Sequence, residues 1–519
     1  MRALVRFLGF AALMSIAGAV YIRGIDESES HEAASPGSDI PDTAAPPALV
    51  GRVWAGSRAV AGARVRLKGH APFALTDSDG RFELHDRPQA GDTVTAAKEG
   101  YLIAGLAASA QPLEIHLFPL ATSDCERYEW LDPTPNPSSV GACGNCHQAI
   151  YEEWRASGHA RSAVNRRFQN LLDGSDWQGR AGHGWGLATE YPEGIGVCWS
   201  CHAPSLNANA ESFDLRQVEG VAAAGVHCDF CHKIRDTSVE QAGLTHGFFA
   251  YELMRPAEGQ LFFGPLDDVD RGEDAYSHLQ SESRICAACH EGTVFGVPVY
   301  TTWSEWLASP AAREGRQCQN CHMTPSGTLT NVAPGSGGIE RDPASLGTHS
   351  FLPAGREAML RRAVDVSFAG RRKEEAVDVS ITLVLHDVGH RLPTGFIDRH
   401  LLLIVEPVDH AGEPATVSSG LRLPAAAGND LAGKPGQLFA KLLTDADGRA
   451  PAPFWRAGVS ITDSRLQPDR PESFTFRFSP ATERVRVRIV YRRFWQEVAD
   501  SKQWPEDEIV VCDRWFVLP

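Results

Sequence analysis

Cys143-Gly144-Asn145-Cys146-His147-Gln148-Ala149-Ile150-Tyr151-Glu152-Glu153-Trp154-Arg155-Ala156-Ser157-Gly158-His159 opens on a Cys-x-x-Cys-His unit and ends on a second histidine. The unit recurs as Cys198/Cys201/His202, Cys228/Cys231/His232, Cys286/Cys289/His290 and Cys318/Cys321/His322. Each copy offers two thiols for thioether bonds to haem vinyl groups and an adjacent imidazole for the iron. At this Cys and His content chance supplies roughly 0.01 copies, so five copies decide the class. Zinc ribbons pair Cys-x-x-Cys knuckles with no His fixed behind each, and thioredoxin-like redox sites occur once. The reading is five covalently attached haem c groups, which use ten of the twelve cysteines.

The motif starts stand 55, 30, 58 and 32 residues apart, a long-short rhythm that points to an internal duplication. A second echo agrees. Residues 153–161, Glu-Trp-Arg-Ala-Ser-Gly-His-Ala-Arg, line up with residues 305–313, Glu-Trp-Leu-Ala-Ser-Pro-Ala-Ala-Arg. Both read as a helical turn with an inward Trp, stopped by Gly or Pro. The first copy carries His159 where the second has Ala311. If His159 is a ligand, the later haem finds its sixth ligand elsewhere.

Outward from the motifs the pattern changes to β. Val50–Val53, Ala63–Leu67, Gly80–Leu84 and Leu113–Leu117 alternate apolar and polar residues around turn chemistry such as Thr76-Asp77-Ser78-Asp79-Gly80. After the motifs, strands are expected over Ala376–Leu385, His400–Val408, Ser473–Phe478 and Val485–Tyr491. The fold class is therefore multidomain: an all-β sandwich over 48–120, a loop-rich, mainly α pentahaem domain over 121–362, and a second all-β sandwich over 363–519. Arg2 and Arg6 precede an apolar run from Phe7 to Ile22, and Ala17-Gly18-Ala19 offers a cleavage site. Residues 1–23 read as an export signal or an uncleaved anchor, and 24–47 as a polar linker. Covalent c-type haem is installed outside the cytoplasm, so a periplasmic or extracytoplasmic location follows.

The formal net charge of −16 disfavours nucleic acid and anionic membrane surfaces. It suits redox partner proteins with a basic docking face, with solubility alone as the equal alternative. Membrane contact would come only through the N-terminal segment. The acidic stretch Asp267, Asp268, Asp270, Glu273, Asp274 could hold Ca²⁺ but reads better as a solvated loop. The leftover Cys125 and Cys512 suggest a disulfide, with buried free thiols as the alternative.

A haem with two axial imidazoles carries electrons, and one with an open position binds substrate. His159, on a helix that could fold back over the first haem, His278, His349 and His390 are the leading sixth ligands. His183, His227 and His246 compete for the remaining iron, and His386 reads as a half-buried sheet residue.

Residues 49–120 resemble the carboxypeptidase regulatory-like module, through Gly51-Arg52-Val53, Ala61-Gly62-Ala63-Arg64-Val65, Thr76-Asp77-x-x-Gly80-Arg81-Phe82 and Lys98-x-Gly100-Tyr101. That resemblance implies a non-catalytic spacer or docking unit with His70, His85 and His116 at its surface. Residues 140–410 resemble the multihaem cytochromes related to the tetrahaem cytochrome c and hydroxylamine oxidoreductase group. The matching features are Cys143-x-x-Cys146-His147 with Trp154-x-x-Ser157-x-His159-Ala160, Cys198-x-x-Cys201-His202-Ala203-Pro204, Gly225-Val226-x-Cys228-x-Phe230-Cys231-His232, Cys318-Gln319-x-Cys321-His322-Met323 and Gly389-His390-x-x-Pro393-Thr394-Gly395. It implies stacked, mostly bis-His haems and supports His159, His278, His349 and His390. The chain lacks the Cys-x-x-Cys-Lys site of pentahaem nitrite reductases and carries five motifs where the oxidoreductase has eight haems.

The function expected is electron transfer between periplasmic or cell-surface partners. The rival is a multihaem oxidoreductase with one five-coordinate haem acting on a small nitrogen or sulfur species or peroxide. Arg391, Arg399, Tyr276 or His400 would then stand near the open iron.

Overall fold

The computed structural model describes residues 49–519 apart from 110–111, 193–196, 207–214, 353 and 457. The expected export segment and linker lie outside the described residues. Residues 47–519 form one compact unit.

The N-terminal part is sheet-rich because its strands alternate. Arg64–Leu67 and Arg81–Leu84 send every second side chain inward. Leu49–Ala55 lies between Arg81–Leu84, antiparallel, and Leu113–His116, parallel. A second sheet runs Ala74–Leu75, Arg64–Leu67, Thr93–Ala97, Ala104–Ala107. Val53, Val65, Leu67, Phe82, Val94, Leu113 and Ile115 fill the core between them, each contributing about 1.5–3 kcal/mol. The turn before Arg81 needs glycine: Gly80 has φ +72°, and a Cβ there would lie 2.6 Å from the Val53 carbonyl. His70, His85 and His116 are exposed, as expected.

The acidic stretch is neither a solvated loop nor an ion site. Asp267 pairs with Arg64 and Arg66, Asp270 with Lys68, and Asp268 with Arg341 at 2.7 Å. Asp268 also accepts from the Gly69 amide at 2.8 Å. The Arg341 and Gly69 donors hold the Asp268 carboxyl below its ordinary range against the opposing effect of burial. Leu102 bridges to Ala275, and Leu102 and Leu120 pack on Met254, Leu261, Phe263 and Ala275. Charge pairing with the N-terminal sheets therefore captures these carboxylates, a long-range outcome that acidic composition alone conceals.

The central region is loop-rich with short helices, as expected. The five motifs are single turns: Cys143–Cys146, Trp199–His202, Cys228–Cys231, the end of Arg284–His290, and Cys318–His322. The helix Arg166–Asp173 starts where Asn165 accepts from the Phe168 amide and stops at Gly174, φ +76°.

The C-terminal part has two four-stranded sheets. One runs Val364–Arg372, Val377–Leu385, Glu472–Phe478, Val417–Ser419, and the other Gly436–Phe439, His400–Asp409, Thr482–Arg492, Ile509–Val517. Val379, Ile381, Leu401, Leu403, Phe476, Val487 and Ile489 form their shared core. The four expected strands are present. Val364–Arg372 and Ile509–Val517 were not anticipated. Cys125 and Cys512 are both free thiols, which corrects the expected disulfide: Cys512 sits opposite Ile489 in the sheet, and the Cys125 amide donates to the Arg255 carbonyl. His386 is exposed, just past its strand.

Candidate functional site

Each motif turn presents two thiols and an imidazole from one short helix, and the turns crowd together. A hydrogen bond with Cys228 holds the Cys143 thiol below its usual range and pushes Cys228 above it. Cys201 is raised chiefly by its contact with Cys289. Cys286 is raised chiefly by Cys318, whose own thiol falls to about 7. Cys231 also acts electrostatically on Cys286. Thiol contacts thus join the first turn to the third and the fourth to both the second and the fifth, and the third lies within electrostatic reach of the fourth.

Four motif imidazoles are oriented by backbone carbonyls. Nδ1 of His147 meets Val332 O at 2.8 Å, His202 meets Ser162 O at 3.0 Å, His232 meets Phe263 O at 2.6 Å and His322 meets Phe351 O at 2.9 Å. A carbonyl on Nδ1 fixes the tautomer and leaves the Nε2 lone pair for a metal. Burial holds His290 down to about 3, with the charge of His159 adding to it. The ring is therefore neutral at pH 7, as a ligand must be.

The other histidines separate into those brought to this cluster and those left outside it. His159 and His290 have ring centroids 6.2 Å apart, and His322 and His390 6.4 Å apart. Two imidazoles bonded to one metal at about 2 Å each place their centroids about 6 Å apart. His159 therefore faces the fourth motif, not the first haem that chain proximity suggested. Packing across the cluster overrides the short connection from His147.

His349 is near His232 and His147, and its amide donates to Glu153 at 2.8 Å. The buried Nδ1 atoms of His159 and His349 have no hydrogen-bond partner. His246 lies against Gly292, between the second and fourth motifs. His278 departs from expectation: it is exposed, with Nδ1 against Glu99 and Nε2 3.2 Å from Glu282. Two carboxylates outcompete an inward position for this ring. His183 faces Asp176 at 3.7 Å. His227 is fully buried with an unpartnered Nε2 while its Nδ1 caps the third motif turn.

Of the polar groups named for an open iron, the Arg391 side chain pairs with Asp463 and Tyr276 lies under Arg64. Arg399 stays beside the motifs. Tyr300, which sequence reasoning missed, lies near Cys198, Cys201, Arg399 and Asp398, and burial raises its phenol. Burial also raises Asp398 to about 7 and leaves its Oδ2 unpartnered. His400 is fully buried, stacked on Trp495 at 4.4 Å.

These residues fit covalent haem: paired thiols, neutral oriented imidazoles, and buried imidazoles with unpartnered nitrogens. Residues 142–233, which span the first three motifs, match the family model described as Cytochrome c554 and c-prime. Among solved structures the chain is similar to a penta-heme cytochrome c552 from Thermochromatium tepidum. The TM-score is 0.54, with 21% identity over 72% of this chain and 97% of that one.

The likenesses support a multihaem c-type cytochrome. At that identity the structural match speaks for the fold. A second solved structure, the Fcho1 Mu homology domain of Danio rerio with bound Eps15 peptide, matches 25% of this chain and 38% of its own. Its 15% identity and TM-score of 0.12 carry no argument. No curated protein matches the chain. A multihaem c-type cytochrome implies redox partner proteins. Among the described residues no helix is long and apolar enough to cross a membrane.

Proposed function

We propose that the chain is a pentahaem c-type cytochrome carrying electrons between periplasmic or cell-surface redox partners. One observation carries the reading: the five Cys-x-x-Cys-His turns gather in one cluster, with thiols of the first and third, the second and fourth, and the fourth and fifth in contact. Haem c, when bound, supplies a one-electron iron couple at each turn.

The chain's residues supply attachment, orientation and a dry setting. Cys143, Cys146, Cys198, Cys201, Cys228, Cys231, Cys286, Cys289, Cys318 and Cys321 form the thioethers. His147, His202, His232, His290 and His322 are the proximal ligands. The ring separations support His159 as the partner of His290 and His390 as the partner of His322. His349 serves the third or the first motif, and His246, whose neighbour Gly247 packs on Ser200 and Cys201, serves the second. The ion pairs at His278 argue against a ligand role there. The net charge of −16 favours a partner with a basic docking face.

A second reading, an oxidoreductase with one open iron, draws on the second motif. Its His202 ring is stacked by Phe168 at 3.9 Å, and Tyr300, Asp398 and Arg399 gather beside its cysteines. The holoprotein's haem count, its low-temperature EPR spectrum and its optical response to CO after reduction test both readings. Five haems, low-spin signals alone and no CO shift fit the electron carrier. A high-spin ferric signal with CO binding moves the assignment to the oxidoreductase, and fewer than five haems overturns the stoichiometry.

A further inference from the structure

In a chain of net charge −16, guanidiniums outnumber carboxylates at one half-buried place. Arg493, Arg167 and Arg356 converge on the single carboxylate of Asp507, at 3.1, 3.3 and 3.8 Å. Arg399 adds its field to Arg356 and, among the described residues, makes its own hydrogen bond only to a carbonyl, Thr394 O at 3.0 Å. The neighbouring Glu508 is taken by Arg492.

These side chains are held in place. Arg167 donates to Pro505 O at 2.9 Å and lies over Trp177 and Trp504, and its side chain is 16% exposed. Arg493 lies over Phe494 and is 20% exposed. Burial and mutual repulsion push Arg356 and Arg167 below the ordinary arginine range. Each guanidinium has five donors, and one carboxylate cannot satisfy three such forks. A free surface cluster would spread into solvent to relieve its repulsion, whereas here aromatic rings hold Arg167 and Arg493, and Arg356 is 37% exposed.

The position relates it to the motifs. Phe168, next to Arg167, stacks on His202 of the second turn. Arg399 acts on His290 of the fourth turn and on Tyr300 beside Cys198 and Cys201.

We propose that Arg167, Arg356, Arg399 and Arg493 form an anion site beside the second and fourth Cys-x-x-Cys-His turns that takes a carboxylate or another small oxyanion. Planar bidentate donors select such groups over halide. Two sources share this chemistry: a propionate of a neighbouring haem, which rests on the haem reading, and a free oxyanion such as nitrite or sulfite, which does not.

The test compares the holoprotein with its Arg356→Gln/Arg493→Gln variant and, for the opposite sign, Asp507→Asn. Calorimetric and optical titrations with nitrite and sulfite read the free-oxyanion source. Saturable binding, weakened at least tenfold in the double variant and tightened by Asp507→Asn, assigns it. Spectroelectrochemistry reads the propionate source. Without titratable binding, one haem's midpoint falls by at least a tenfold shift of its one-electron equilibrium, about 59 mV, in the double variant. The same midpoint rises in Asp507→Asn, because ferric iron is penalised by an added positive charge. Unchanged binding and unchanged midpoints in both variants overturn the site. A haem count that fails strikes the haem reading alone, and the calorimetric arm then decides the site by itself.

Discussion

The two copies of the Glu-Trp segment build the same turn and end in different chemistry. In residues 153–161 the Ser157 hydroxyl accepts from the His159 amide and Arg161 donates to Ala156 O. In residues 305–313 Ser309 accepts from the Ala312 amide and Arg313 donates to Ala308 O. Both Trp indoles donate to a carbonyl, Val226 in one copy and Arg316 in the other. The difference lies at one position. The first copy sends His159 toward His290, whereas the second has Ala311, and there Gly389 packs so closely that a Cβ on it would lie 3.2 Å from the Ala311 Cβ. The next residue, His390, reaches His322. A missing side chain in one copy has become the seat of a loop from the C-terminal sheets, so an imidazole that one copy carries itself is brought to the other from far along the chain.

If this comparison is right, replacing His390 or His159 has the largest effect. Each alanine variant is expected to turn one low-spin iron high-spin in the EPR spectrum, and the double variant two. A single high-spin iron in the double variant would mean that the two imidazoles serve one haem.

The glutamates come next. Glu305 is buried with Arg465 at 2.7 Å and accepts from Thr394, tying its copy to the C-terminal loop. Glu305→Ala is expected to cost about 2–3 kcal/mol in denaturant unfolding, because Arg465 loses one of its two carboxylate partners and keeps Asp463. Glu153, whose partner is the His349 amide, should lose only about 1 kcal/mol on conversion to Ala. Equal costs would break the distinction.

Ala311→Val tests the seat itself. Methyl groups added at this buried residue should cost about 1–3 kcal/mol and perturb the His390 haem spectrum alone. A stability loss without that spectral change would uncouple the seat from the ligand.

The smallest effect is in pH. Asp463 is held below its ordinary range by its hydrogen bond with Arg465, against burial. A carboxylate depressed in the folded state stabilises fully above its unfolded value and less as pH falls through the folded one. The stability of Asp463→Asn should therefore lie below that of the parent at neutral pH and converge with it in acid. Curves that stay parallel would show that the ion pair does not report on folding.

Much of the architecture was legible locally. Alternation in Arg64–Leu67 and Val377–Leu385 exposed their strands, since a sheet with one buried face imposes period two. Ile509–Val517 escaped because it places Trp515 and Val517, 49% and 73% exposed, on the solvent side, which blurs that period. The acidic run at 267–270 read as solvated because nothing nearby in sequence announces Arg64, Arg66 and Lys68.

By itself the sequence determined the five Cys-x-x-Cys-His turns, the two flanking sheet regions and the duplicated segment, because each depends on residues within a few positions of one another. Only the tertiary structure decided that His159 faces His290, that His278 is held by carboxylates, and that three arginines meet around Asp507. Those outcomes depend on which distant surfaces pack together, and packing is settled by the shape and charge of the whole core.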